Sequence, residues 1–472
     1  MQTIKWVLIY QRIYASLSLV ILSVVTVDAK DLRPNILFIV ADDLGKGDIA
    51  CYGNSIVHTP VIDGIAANGL CLDKYRSAAP ISGPSRVAMM TGRYYERSGF
   101  RMAHIEKTSS LEEPWIARQF HDGGYATALF GKAHIGDNNF KGRGYEYWVV
   151  TSPGGWADYY DYPILKTGEK RRVSDGSVYA TDFITNEVIS FIDANHKEKT
   201  RRPFYAYIGY TAPHFPLQVP EEEITPYKGK NLADGTEVIY GMITRMDKNI
   251  GRIIEKLKDL EEYENTIIVF VSDNGPTFGT YQKLSQKRWN CGLAGAKEFT
   301  LEGGINVPCV VQWPKRIAAS NSVCNTSMTG LDWAPTLLDA AGITPSGKPF
   351  DGVSFLASLM NKDCKTSVPI RMWSYNKAYM TDISNVAVID GEWKLYRPQI
   401  EVLNRWDNKG RVPQVVTPTE WQLFNLSSDP GEKVNVISSE PERTTKMLEC
   451  FNNWWKEVLN ENREISGEDI NP

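Results

Sequence analysis

Runs that are apolar from end to end, each preceded or followed by a helix-like segment, restrict this chain more than any other feature. "NILFIVA" (35–41), "YATALFG" (125–131), "PFYAYIGY" (203–210) and "NTIIVFVS" (265–272) lack the polar alternation of a half-exposed strand. Strands of this kind are covered on both faces. Between them, "TPVIDGIAANG", "WIARQFHDGG", "DFITNEVISFIDA" and "EVIYGMITRMDKNIGRIIEKLKDL" carry helical spacing, several closing on glycine. The alternation predicts an α/β fold: a large, mostly parallel sheet sandwiched by helices. Beyond about residue 365 the strands shorten, as in "VAVIDGEWKLYR" and "EWQLFNL". Asp390-Gly391 signals a hairpin and Asp429-Pro430-Gly431 a turn. "EPERTTKMLECFNNWWKEVLNE" reads as a closing helix. The expected organisation is a main domain over residues 30–369 and a smaller α+β subdomain with an antiparallel sheet over 370–472.

Residues 1–29 read as a secretory signal peptide. Lys5 and Arg12 precede the short apolar core "ASLSLVILSVVT", and Val27-Asp28-Ala29 offers a cleavage point near Ala29. The core is short for a membrane span, so the expected location is periplasmic or secreted, with no stable membrane insertion. The net charge of −4 comes with no dominant basic run, which argues against nucleic acid as a partner. Seven cysteines are widely spaced without a C-x-x-C pair, which argues against a zinc site or a dense disulfide framework and leaves one or two bridges open. The oligomeric state cannot be read from the sequence.

The four strands end in chemically capable residues. The first runs into Asp42-Asp43, the second into "GKAHIG" with Lys132 and His134, the third into "TAPH" with His214, and the fourth into Asp273-Asn274. Sites in open α/β sheets form at the carboxyl ends of strands, so four such tips can meet in one cleft. The acidic pairs offer only oxygen ligands, suited to Ca²⁺ or Mg²⁺. Consecutive residues within a strand point to opposite faces, so Asp42 and Asp43 can share an ion only if the chain has turned, and Gly45 and Gly47 allow that turn. Each pair alone also reads as a turn or a cap. In "AAPISGPSRVAMMTGRY" (78–94), Ser82 reads as the N-cap of a helix with Pro84 in its first turn. Arg86, and Lys297 in the loop "LAGAKEFTLEGGINVP", add positive charge. A metal, several cations, two histidines and a serine at a helix start describe a site for a tetrahedral anionic ester.

Ser82-Gly83-Pro84-Ser85-Arg86 followed by Thr91-Gly92-Arg93 resembles the signature C/S-x-P-x-R-x-x-x-x-T-G-R of the type I sulfatases, relatives of alkaline phosphatase. "NILFIVADDLGKGDIACYGN", "HTPVIDGIAANG", "GKAHIG", "TAPHFPL", "VFVSDNGP", "LEGGINVP" and "LSSDPGEKVN" resemble further blocks of that family, in order. The resemblance implies an alkaline-phosphatase-like fold and a sulfuric ester hydrolase. It implies that Ser82 is oxidised to formylglycine (3-oxoalanine), hydrated to a gem-diol whose hydroxyls attack sulfur and later expel sulfate. It implies one Ca²⁺ held by Asp42, Asp43, Asp273, Asn274 and residue 82. By the same transfer Arg86 holds the diol, Lys132 contacts the diol and sulfate oxygens, and His134 is the base for sulfate release. His214 and Lys297 face the leaving oxygen, and Asp273 takes a proton from the attacking hydroxyl. Serine at 82 resembles bacterial members matured by a radical formylglycine-generating enzyme acting on the Ser82–Arg86 motif before export.

Several positions depart from the family pattern. Ala133 stands where Trp is common, Ala294 and Ala296 replace Arg and Gly, Glu298 follows the lysine, and Asn306 replaces a frequent Arg. The expectation is a reshaped pocket wall, with Ala133 leaving room for a bulky sugar chain. "SPGGWADYYDYPI" (Trp156, Tyr159, Tyr160, Tyr162) reads either as a surface for stacking sugar rings or as packing. The expected substrate is a sulfated carbohydrate, with carrageenan-like galactans, ulvan and glycosaminoglycans all open. The alternatives are a phosphodiesterase or phosphonate hydrolase on the same fold, and a non-catalytic protein that binds sulfated glycans.

Overall fold

The computed structural model describes residues 33–466 apart from 101–109, 154–157, 320–322, 325, 362–365, 376–384, 399–400, 403–405, 408–409, 412–413 and 416–419. The signal segment expected over residues 1–29, and Trp156, lie outside the described residues. Among those described, no helix is long and apolar enough to cross a membrane.

Among the described residues, twelve strands precede residue 325: β1 (Asn35–Ala41), β2 (Leu70–Leu72), β3 (Ala126–Lys132), β4 (Tyr147–Ser152), β5 (Pro163–Lys166), β6 (Arg172–Val173), β7 (Phe204–Gly209), β8 (Thr266–Ser272), β9 (Thr280–Tyr281), β10 (Leu284–Ser285), β11 (Cys309–Gln312) and β12 (Val323–Cys324). Ten form one mixed sheet in the order β12-β2-β11-β8-β1-β7-β3-β4-β5-β6, while β9 and β10 make a separate small hairpin. The strands β8, β1, β7, β3 and β4 are mutually parallel. The four runs singled out in the sequence are therefore four adjacent central strands, β8-β1-β7-β3, and their carboxyl ends lie side by side.

Strand alternation divides the core. In β1, Leu37, Ile39 and Ala41 face one apolar cluster, and Ile36, Phe38 and Val40 face the other. The first face is covered by helices Pro60–Ala67, Ala180–Lys197 and Asp234–Asp259. The last of these buries Ile239, Ile243, Met246, Ile250, Ile253 and Leu257, a stripe at steps of three and four. The second face is covered by helices Ser82–Thr91, Ile116–Asp122 and Trp333–Ala340. Every residue of helix Ser82–Thr91 is buried, so the signature segment lies inside the molecule. At the carboxyl ends of the parallel strands, β3 and β7 approach so closely that a Cβ on Gly209 would stand 2.2 Å from the Lys132 carbonyl oxygen.

A second, antiparallel sheet follows, with β13 (Arg371–Ser374), β14 (Val386–Asp390), β15 (Trp393–Arg397) and β20 (Gln422–Asn425) in that order. Two-residue strands β16 (Glu401–Val402), β17 (Trp406–Asp407), β18 (Gly410–Arg411) and β19 (Gln414–Val415) lie between β15 and β20. The hairpin signal at Asp390-Gly391 holds: Asp390 pairs with Trp393, and Gly391 adopts φ 62°. This sheet and the closing helix Pro441–Ser466 do not pack on themselves alone. Met372, Val388, Leu395, Leu423, Phe451 and Trp454 share one apolar cluster with Ala78, Ala88, Tyr94, Tyr95 and Leu331. A buried ionic quartet also ties the second sheet to helix Glu302–Ile305 and to Arg76 of the main domain. Lys394 of β15 lies 3.1 Å from Glu302 and 2.8 Å from Glu432, and Glu302 is bound in turn by Arg76 at 3.0 Å.

Candidate active site

The central strands deliver their polar residues at or just past their carboxyl ends. Asp42 follows β1 and Asp273 follows β8, and the two segments are stitched by Asp273 N–H to the Ala41 carbonyl at 3.1 Å. Asp42 N–H donates to Ala212 O, which ties in the turn carrying His214. Asp42, Asp43, Asp273 and Asn274 are all buried. The turn that lets Asp42 and Asp43 share one space is made by Asp43 itself, which adopts a left-handed φ of 61°. Gly45 is not left-handed, with φ −77°. The glycines serve close approach instead: a Cβ on Gly47 would stand 2.4 Å from the Trp289 carbonyl oxygen.

Ser82 does not act as an N-cap. Ile81 occupies that position and Ser82 is the first helical residue. Its hydroxyl turns into the acidic cluster, 3.2 Å from Asp42 Oδ1 and 3.1 Å from Asn274 Oδ1. Arg86, one turn on, is fully buried. Its Nε and Nη2 both bind Asp273 Oδ2, at 2.8 and 2.7 Å, and Nη1 donates to the Lys132 carbonyl and to Tyr207 Oη. Lys132 Nζ lies 2.5 Å from Asp42 Oδ2. Lys297 comes from a loop over 200 residues away and bridges both carboxylate oxygens of Asp43, at 2.7 and 2.8 Å. His214 Nε2 is 3.7 Å from Asp43 Oδ2. His134, in a left-handed conformation with φ 53°, has its backbone beside the helix start, its carbonyl 3.4 Å from where a Cβ on Gly83 would stand.

Burial alone would push the Asp43 carboxyl up, but the charge of Lys297, joined by that of Lys132, outweighs it and holds it well below the usual range. Burial raises Asp273 against the opposing charge of Arg86. Burial lowers Lys132, whereas for Lys297 the carboxylates of Asp43 and Asp42 more than offset burial and raise it. Burial, aided by Lys297 and Lys132, pulls His214 down to about 3 despite Asp43. His214 Nδ1 lies 2.7 Å from the Phe215 carbonyl, which can only accept, so Nδ1 carries the proton of the neutral ring and Nε2 presents a lone pair toward Asp43. Ligand atoms of Asp42, Asp43 and His214 lie within 4.8 Å of one another and form a possible metal site. Asp273 is not one of these three; its Oδ1 accepts the Asp43 N–H at 3.2 Å and its Oδ2 is held by Arg86, while Asn274 Oδ1 accepts the Ser82 hydroxyl at 3.1 Å. Three aspartates there face Arg86, Lys132 and Lys297, so a divalent cation would leave a net positive site, which an anionic ester offsets.

Other sequence expectations fare differently. Ala133 is not part of a pocket wall; it is 1% exposed and belongs to the apolar cluster under the sheet. Asn306 is buried and donates to Glu302. Tyr159 and Tyr162 are packing residues, each 1% exposed, with Tyr159 stacked on Tyr179 at 5.1 Å. Tyr159 Oη donates to the His214 carbonyl at 2.9 Å, so it supports the histidine rather than a sugar. Arg93 of the signature lies outside the cluster; it pairs with Glu113 at 2.9 Å and with Glu461 of the closing helix. Arg97 pairs with Asp351 and with Glu457 and Glu461 of that helix. Among the described residues, Cys51, Cys71, Cys291 and Cys450 are free thiols. Two contributors carried no sequence signal: Thr277, whose hydroxyl donates to Asp43 Oδ2 at 2.7 Å, and Tyr207 on Arg86.

A profile of the Sulfatase family matches residues 34–343, and one described as N-sulphoglucosamine sulphohydrolase, C-terminal, matches residues 295–457. The chain is 27% identical to an N-acetylgalactosamine-6-O-sulfatase of Bacteroides thetaiotaomicron, over 89% of this chain and 92% of that protein. It is 26% identical to the N-acetylgalactosamine-6-sulfatase of Canis lupus familiaris, over 85% and 81%. The crystal structure of Ps i-CgsB in complex with k-i-k-neocarrahexaose superposes with a TM-score of 0.75 at 27% identity, over 90% of this chain and 93% of that one. With the family profile spanning more than half of the sequence and the strand-tip cluster intact, the chain belongs to the sulfatase family and is an enzyme that hydrolyses sulfate esters.

Proposed function

We propose that this enzyme removes O-sulfate from a sulfated carbohydrate, using Ser82 carried as formylglycine and one Ca²⁺ held by Asp42, Asp43, Asp273, Asn274 and residue 82. The observation that carries this reading is the Ser82 hydroxyl, buried at 2% exposure between an Asp42 oxygen and an Asn274 oxygen rather than capping its helix. An unmodified serine hydroxyl is a weak nucleophile, and no general base adjoins it in the usual Ser–His manner among its hydrogen-bond partners. As formylglycine, residue 82 supplies a hydrated aldehyde whose hydroxyls serve as nucleophile and as the group that later expels sulfate. The all-oxygen donor set suits Ca²⁺, which supplies positive charge for the sulfate oxygens and for an ionising hydroxyl.

The remaining roles belong to the chain's own residues. Arg86 fixes Asp273, which accepts the proton of the attacking hydroxyl. Lys132 and Lys297 stabilise charge on the sulfate and leaving oxygens. His214 donates to the leaving oxygen once the bound anion has raised its proton affinity. His134 is the base for sulfate release. The carbohydrate class is supported by the names of the relatives, an N-acetylgalactosamine-6-O-sulfatase and a structure holding a neocarrahexaose. Residues 1–29 direct the chain to the periplasm or beyond, with cleavage near Ala29. Because Ser82 is buried in the folded chain, a radical maturase reads the Ser82–Arg86 motif before folding.

Co-expression with such a maturase tests the reading. The tryptic peptide 77–86 is expected to lose two hydrogens and to react with a hydrazide, and the protein to release sulfate from sulfated oligosaccharides. Ser82→Ala is expected to abolish turnover; near-wild-type rates in that variant would remove the nucleophile assignment.

A further inference from the structure

The 276–297 segment reaches the Asp43 turn with three donors. Two are side chains already on its carboxylate, Thr277 and Lys297. The third, Arg288, touches the backbone. Arg288 Nη2 donates to the Asp43 carbonyl at 3.2 Å and Nη1 to the Thr277 carbonyl at 3.0 Å, while Nε sits 2.8 and 3.0 Å from the two carboxylate oxygens of Asp48. The guanidinium is 2% exposed and Asp48 1%. Asp48 in turn accepts the Gly45 N–H at 2.7 Å, closing the turn that follows Asp43. One planar cation thus joins three points of the molecule: the residue after Asp42, the turn it opens, and the residue that binds its carboxylate.

The geometry points to Arg288 as a positioning residue for the metal site. Asp43 is a non-glycine residue in the left-handed region, a conformation held only when its surroundings enforce it. Its N–H is tied to Asp273 Oδ1 at 3.2 Å, and its carbonyl is tied by Arg288. Removing Arg288 frees the carbonyl and leaves Asp48 as a buried carboxylate without its cation, so the turn relaxes and the Asp43 carboxylate loses its aim. Lysine keeps the charge but has no fork with which to reach Asp48, Thr277 and Asp43 together. This inference rests on the reading that Asp43 is a Ca²⁺ ligand.

The test is Ca²⁺ affinity, by calorimetry on the metal-depleted full chain, for wild type, Arg288→Met, Arg288→Lys and Asp43→Asn. Outer partners of metal ligands are typically worth 10–100-fold in affinity. Arg288→Met is expected to bind Ca²⁺ about 10–100-fold more weakly, Arg288→Lys to recover only part of that loss, and the rise in Tm on adding Ca²⁺ to shrink accordingly. A role confined to packing would lower Tm equally with and without Ca²⁺. Affinity within twofold of wild type in Arg288→Met, while Asp43→Asn loses binding, overturns the inference and leaves the ligand reading standing. Unchanged binding in Asp43→Asn removes the ligand reading itself, and with it the role of Arg288. If Arg288→Met does not fold, Arg288→Lys decides alone, with wild-type affinity in that variant overturning the inference.

Discussion

Lys297 Nζ lies 2.7 Å from Asp43 Oδ1, although 254 residues separate the two in the chain. Asp43 is buried and Lys297 is part-buried, and each partner shifts the other toward its charged form. A lysine in a glycine-bearing loop is ordinarily solvated; here the loop's Lys297 N–H bonds the Pro276 carbonyl and folds the side chain back over the strand tips.

In the mechanism proposed above, this cation meets the charge that develops on the ester during cleavage. Replacing it with an uncharged chain of similar length, Lys297→Met, is expected to lower kcat/KM by about 10²–10³, or about 3 kcal/mol of barrier. Steady-state rates on a chromogenic sulfate ester check this; a change of less than fivefold would show that the lysine serves the fold alone.

Glu96 gives a pH dependence remote from the chemistry. Its carboxyl is buried, accepts Ser374 Oγ at 2.8 Å, and is raised by burial from an ordinary 4.5 to about 8. The folded protein therefore holds this proton where the unfolded chain releases it. The stability contributed is complete below about pH 4.5 and is lost as pH rises toward 8, at no more than about 1.4 kcal/mol per pH unit. Glu96→Gln is expected to flatten the fall in urea midpoint between pH 5 and 8, and equal slopes in the two proteins would refute the assignment.

The buried quartet Arg76–Glu302–Lys394–Glu432 makes a third case. Lys394 is fully buried, and it alone of the two cations reaches Glu432. Lys394→Met leaves two carboxylates facing each other without their shared partner. The expected loss is about 3–5 kcal/mol in chemical denaturation, since breaking a buried pair strands the remaining charge. A loss below 1 kcal/mol would mean that the carboxylates rehydrate or protonate freely.

The gross fold was legible because its signals are periodic. Unbroken apolar runs mark strands covered on both faces, and the four that end in the candidate site residues are neighbours in the sheet. The residues at their tips were legible for the same reason: a strand's end fixes where the next side chains can go. What escaped is set by tertiary contact. Ala133 sits between Lys132 and His134 in sequence, yet it lies just past the end of β3, where the chain leaves strand geometry, and packs into the apolar cluster. Asp43 makes the turn that the following glycines were expected to make, because Asp273 and Arg288 hold its backbone from elements more than 200 residues away. Ser82 matches an N-cap by type, but its hydroxyl has better partners in Asp42 and Asn274 than its own helix offers. Thr277 and Arg288 occupy a loop whose composition carries no pattern, and only their contacts give them meaning.

The apolar cluster that Tyr94 and Ala88 share with Leu395 and Trp454, and the arginine pairs that bind helix Pro441–Ser466, carry a consequence for how such chains diversify. Cutting at residue 369 would expose the flank of the signature helix and strip Arg93 and Arg97 of Glu461. The carboxyl-terminal hundred residues are therefore not a cassette to be exchanged at will. Any graft onto a relative would need to bring matching partners for Arg93 and Arg97, or the serine's own helix would lose its footing.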